Sequence, residues 1–225
     1  MGALLTSIFT VHGQSYLHRE RGYKRFFATL LLTYFSYGLI VTSGNFETLF
    51  VAWQILGIAS FLLIAFYRER YLPVKNALVA FSMFRLCDVR LLLVAWMARR
   101  VSPGGPFVGL MSENPALHGL GADHGSFVFL LPAMILLSAG AISAQFPFSP
   151  WLPRAMEGPK PVSAIFFGSL FVHLGVFILL RTSPLWETET VARVCVGIVG
   201  AVTALITYPC SRVRSSVKSR VAYAS

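Results

Sequence analysis

Six stretches of about 20 mostly apolar residues recur along the chain, long enough as helices to cross the hydrocarbon core of a bilayer. They cover residues 26–43, 46–66, 76–97, 127–145, 162–180 and 191–208. In lipid, each backbone N–H and C=O must find a partner inside its own segment, so runs of this kind are read as helices. The expected fold is all-α: a polytopic membrane bundle of about six transmembrane helices. Only 12% of the residues are charged, against about 25% in soluble domains, so there is no polar coat for a water-soluble fold.

The formal net charge is +10. On a soluble protein that excess would suggest nucleic acid. Here the basic residues lie in short clusters between apolar runs, without the aromatic–basic surface of a nucleic-acid binder, and no nucleic-acid partner is expected. They read as topology signals instead. Arg19, Arg21, Lys24 and Arg25 fall on one side, as do Arg68, Arg70 and Lys75, then Arg154 and Lys160, then Arg212, Arg214, Lys218 and Arg220. The other side receives Arg99 and Arg100 with Glu47, Glu187 and Glu189, while Arg181 and Arg193 flank its last loop. Both termini are expected on the basic side, cytoplasmic in a bacterium, and the alternation agrees with six crossings.

The chain divides accordingly into a basic segment (1–25), a helix bundle (26–208) and a basic tail (209–225), all one membrane domain. Within the bundle, the Gly- and Pro-rich stretch 101–126 reads as an extramembrane loop. The passage 146–161 carries Pro147, Pro150, Pro153, Pro159 and Pro161. Prolines lack amide donors and forbid a continuous helix, so it reads as an interfacial connector or the end of a broken helix. The opening stretch 1–12 is short for a span and lacks the basic start of a signal peptide. The tail from Val217 reads as a helix start, and the chain as a piece of a longer transporter-like sequence. Cys87, Cys195 and Cys210 form no CxxC pair, so neither zinc nor an iron–sulfur cluster is expected; Cys87 and Cys195 read as small packing residues.

Ionisable groups at mid-membrane cost about 2.5–3.5 kcal/mol each on insertion scales and are functional candidates for that reason. The third run holds Arg85, Asp88 and Arg90. Arg85 and Asp88, three apart, share a helix face and can pair, either to lock helices together or to pass protons. Gln54, in the second run, can hydrogen-bond across helices but carries no proton. His173, in the fifth, is either a packing residue or a proton relay. Gly168 and Gly175 leave a smooth face for a close neighbour.

One long stretch is more specific. Gly140-Ala141-Ile142-Ser143-Ala144-Gln145-Phe146-Pro147-Phe148, followed by Trp151-Leu152-Pro153-Arg154-Ala155-Met156-Glu157-Gly158-Pro159-Lys160-Pro161-Val162-Ser163-Ala164, resembles the signature of the antiporter-like membrane subunits. These comprise the large L-type subunit of NADH:quinone oxidoreductase, multisubunit sodium/proton antiporters and the membrane subunit of inorganic-carbon accumulation complexes. Four further stretches are similar: Arg25-Phe26-Phe27, Trp53-Gln54 with Gly57 and Ser60, Arg85-Leu86-Cys87-Asp88, and Val217-Lys218 through Ala222-Tyr223-Ala224-Ser225. The resemblance covers nearly the whole chain and corresponds to the first inverted repeat of a longer subunit.

It implies a membrane subunit of a proton-translocating complex, working beside other membrane subunits and in some branches a large soluble partner. It implies no catalytic centre and no cofactor in this chain. Its proton-path or helix-pairing candidates are Gln54, Arg85, Asp88, His173 and Lys218. Three departures bear on conduction: the family places Glu, Lys and His where this chain has Gln54, Ile142 and Phe167. None of the replacements titrates, which raises the alternative of a non-conducting scaffold or a truncated remnant. Arg154, Tyr16-Leu17-His18-Arg19 and Val172-His173-Leu174-Gly175 are closer to the carbon-accumulation branch.

Overall fold

The computed structural model describes residues 2–20, 22–101, 125–163, 170–186 and 190–224. Ten helices are named here: α1 (Gly2–Leu17), α2 (Tyr23–Thr42), α3 (Phe46–Ile64), α4 (Tyr71–Val101), α5 (Gly125–Ile142), α6 (Trp151–Ala155), α7 (Phe171–Arg181), α8 (Ser183–Trp186), α9 (Thr190–Val213) and α10 (Val217–Ala224). No strand occurs among the described residues. By length and composition, α2, α3 and α9 are each long and apolar enough to cross a membrane. The 31 residues of α4 also suffice in length, but Arg85, Asp88 and Arg90 interrupt their apolar character. The opening stretch forms a helix of 16 residues, longer than the sequence suggested, and the expected helix start at Val217 is α10. Loop 101–126 lies almost wholly outside the described residues.

Helices α2, α3, α4, α5 and α7 pack in succession, with α6 against α4. Contacts between helix ends fall into two groups. At one end the Arg181 guanidinium, closing α7, donates to the carbonyls of Ile40, Val41 and Ser43 at the end of α2. There too Glu47, in the first turn of α3, pairs with Arg99 near the end of α4 at 2.7 Å. At the other end Phe26 of α2 meets Phe66 after α3 edge to face. Lys218 donates there to the carbonyls of Met156 and Gly158. The Asn45 side chain starts α3 by accepting from Thr48 N at 2.8 Å, supplying one of the donors that a helix N-terminus leaves free.

The family-like stretch breaks a helix inside the bundle. Gln145 N donates to Gly140 O at 2.8 Å and Ala144 N to Ala141 O at 3.4 Å, the pair of bonds that closes a Schellman C-terminus. The left-handed residue it needs is Ala144, at φ 52°, where a Cβ costs about 1–2 kcal/mol. After the break the chain runs against α9 and α4. Phe146 N donates to Thr203 Oγ1, midway along α9, at 3.0 Å. Trp151 is fully buried, stacks edge to face on Phe84 of α4 and donates to Ala141 O at 2.8 Å. The passage 146–161 thus follows the end of α5 and holds the short helix α6.

Gly175 lets α7 approach the end of α5. A Cβ there would overlap Ser143 Oγ and the carbonyl oxygen of Ala139, and Ser143 Oγ itself donates to Val172 O at 2.9 Å. Overpacking costs about 1–3 kcal/mol, and here part of the obstacle is backbone. Gly175→Ala is expected to lower the melting temperature of the purified chain, and adding Ser143→Ala is expected to restore only part, because Ala139 O remains. Full restoration by Ser143→Ala would show that the carbonyl is no obstacle. Gly168, the other half of the expected smooth face, lies outside the described residues.

Candidate functional site

A polar station sits where α3 faces α4. In α4, Arg85 Nε lies 3.2 Å from Asp88 Oδ2, so the three-residue spacing makes the expected pair. Across the interface Arg85 Nη1 donates to Gln54 Oε1 of α3. The Phe81 ring, one turn before Arg85, lies 4.5 Å below the guanidinium, a cation–π contact. Gly57, on the same face of α3 as Gln54, makes room: a Cβ there would come within 3.3 Å of Arg85 Nη2. Asp88 is buried, its side chain 7% exposed, whereas Arg85 is 37% exposed. Trp53 and Gln54 of α3 also face Asp88, and Arg85 Nη2 is buried with no hydrogen-bond partner among the described residues. The station therefore brings two opposite charges, an amide and an indole together across the α3–α4 interface.

The other predicted residues are not part of it. Lys218 stands at the basic end, holding α10 against the backbone that follows α6. His173 is exposed on α7. Cys87 is buried as expected, but Cys195 is exposed on α9, contrary to its reading as a packing residue. Ile142, where the family has Lys, is 2% exposed in the apolar core at the break of α5. Phe167 lies outside the described residues.

Two residues were missed as structural determinants. Arg181 ties α7 to the carbonyl end of α2, where a cation also meets the negative end of the helix dipole. Its sequence signal is an Arg closing an apolar run on the side that carries few cations. Gln145 closes the broken helix through its backbone and keeps its side-chain oxygen buried and unpartnered among the described residues.

With this geometry in view, the likeness to known proteins is specific. Residues 43–225 match the family described as NADH:quinone oxidoreductase/Mrp antiporter, TM. Curated relatives include NADH-quinone oxidoreductase subunit L of Neisseria meningitidis, 32% identical over 99% of this chain and 34% of its own length. NADH-ubiquinone oxidoreductase chain 5 of Hylobates lar is 34% identical over 93% of this chain and 33% of its own length. The chain thus spans about a third of the relatives it matches. The solved Mrp complex from Dietzia superposes with a TM-score of 0.78 at 25% identity, over 87% of this chain and 21% of that one. The broken helix, the Arg85–Asp88 pair and these matches make this membrane-integral helical chain a member of the NADH:quinone oxidoreductase/Mrp antiporter transmembrane family.

Proposed function

We propose that the chain is a membrane subunit of a proton-translocating complex of the oxidoreductase or antiporter type, in the bacterial inner membrane with its basic end toward the cytoplasm. The observation that carries this is the station of Gln54, Arg85 and Asp88 in a bundle whose α5 ends in a Schellman break at Ala144. Buried charge in a membrane bundle is costly, and a broken helix is where transporters of other families place their sites. The relatives' names place them in NADH-quinone oxidoreductases, and the solved structure in an Mrp complex; the same kind of assembly is proposed here. Redox chemistry would then belong to a partner. A tagged chain solubilised from its own membranes in mild detergent should migrate on a native gel in a complex containing a second oxidoreductase- or antiporter-type membrane subunit. Migration alone, at a size fitting 24.8 kDa plus detergent, would sink the proposal.

A second reading is favoured by the packing of Ile142 and by Gln54. Where the family passes protons, this chain presents a buried alkyl side chain and an amide that binds a guanidinium. In this reading the chain keeps the fold and the partner surface but acts as a scaffold without its own proton path. Carbon accumulation, toward which the residues around His18, Arg154 and His173 lean, is a narrower form of either reading and would require a soluble partner.

A further inference from the structure

The basic end carries its charge without acidic partners. Among the described residues, no cation of its clusters pairs with a carboxylate; the ion pairs Arg85–Asp88 and Arg99–Glu47 lie elsewhere. Its cations meet tyrosines instead. Arg70 lies 5.2 Å from the ring centre of Tyr67, Lys75 5.6 Å from that of Tyr71, Lys160 5.7 Å from that of Tyr16 and Arg214 5.5 Å from that of Tyr223. A ring face attracts a cation without neutralising it, so the charge stays available to an anion from outside. Tyrosine also favours the membrane–water interface, where one end of the side chain is dry and the other wet.

Two of these contacts converge. Tyr16 lies at the end of α1, Tyr67 and Arg70 between α3 and α4, and Lys160 after α6. Tyr16, Glu20 and Arg70 all act on the Tyr67 phenol, which burial, then Tyr16 and Glu20, raise above its ordinary pKa while Arg70 lowers it. That phenol keeps its proton at neutral pH and can donate to an oxygen. Arg70 and Lys160 are exposed, so an anion can reach them. Apolar surface lies on the same elements: Leu4 and Ile8 of α1 and Leu72, two residues past Arg70, are exposed. An acidic protein segment would use the cations and leave that surface bare, whereas a phospholipid brings both a phosphate and acyl chains. Basic clusters beside membrane helices attract anionic lipid in this way. We propose that Tyr16, Tyr67, Arg70 and Lys160 hold the phosphate of one anionic phospholipid, of the phosphatidylglycerol class, at the basic end of the bundle.

The test melts the full chain, purified in a neutral mild detergent, with short-chain phosphatidylglycerol or phosphatidylcholine below their micelle concentrations. Phosphatidylglycerol should raise the melting temperature saturably, and phosphatidylcholine should do so less. Glycerol phosphate, which has the anion without acyl chains, should have little effect. The quantity read is the concentration at half response, which a shifted baseline stability does not move. Arg70→Gln with Lys160→Gln should raise that concentration by about tenfold or more, as expected for losing charge-assisted contacts. Arg70→Lys with Lys160→Arg should keep most of the response. Arg212→Gln with Arg214→Gln removes the same charge from another part of the basic end and should leave the response nearly unchanged. The proposal is overturned if phosphatidylcholine acts as strongly as phosphatidylglycerol, or if the response survives in Arg70→Gln with Lys160→Gln. An equal loss in the Arg212 and Arg214 variant overturns it too, because the attraction would then be to overall charge. Equal stabilisation by glycerol phosphate or by a short polyglutamate peptide would assign the surface to a free phosphate or an acidic protein instead.

Discussion

Asp88→Leu is expected to abolish accumulation of the folded chain, and Arg85→Leu with Asp88→Leu to restore much of it. Removing one member of a fully buried ion pair costs about 3–5 kcal/mol, and the low end applies here because Arg85 is 37% exposed, while replacing both by apolar groups is often neutral or stabilising. The two single variants should differ. Without Asp88, the Arg85 guanidinium keeps its charge and only the neutral Gln54 amide and the Phe81 ring to face. Without Arg85, Asp88 can take up a proton and lie neutral against the interface, because a carboxyl group escapes a dry site by shifting its protonation. Arg85→Leu should therefore accumulate better than Asp88→Leu. Membrane yield and monodispersity on a sizing column measure all three. A double variant as poor as Asp88→Leu would show that the contact at 3.2 Å is not an energetic pair.

The contrast between Arg85 and His173 shows what a membrane sequence discloses. Arg85 and Asp88 could be paired from spacing alone, since both ends of the interaction lie on one helix. Its continuation to Gln54 crosses 31 residues, which no periodicity encodes. His173 lies near the middle of an apolar run, which does not say which face it takes; it is exposed on α7. Arg181 reaches α2 across 138 to 141 residues, again beyond any local pattern. The prolines of 146–161 forbade a helix but said nothing of depth. Tertiary contacts tie that passage to Thr203 of α9 and Phe84 of α4.

Those contacts bear on conduction. Proton transfer through a bilayer needs groups that bind and release protons, joined by hydrogen bonds or water. At the α3–α4 station Gln54 can orient water but stores no proton. From there toward the break of α5 the next family position is Ile142, 2% exposed in apolar surroundings, and an alkyl side chain interrupts any chain of water. His173 is exposed on α7 and is not among the partners of Gln54, Arg85 or Asp88. The chain reconstituted alone in liposomes is therefore expected to pass no protons above the lipid leak under an imposed potential, read by an internal pH dye. Gln54→Glu, Ile142→Lys and Phe167→His together are expected to be required before flux appears. Gln54→Glu alone should instead pair with Arg85 and leave the flux at the leak. Flux from the unmodified chain that vanishes in His173→Ala would overturn this account, because the path would then run along the outer face of α7, against a neighbour rather than through the bundle.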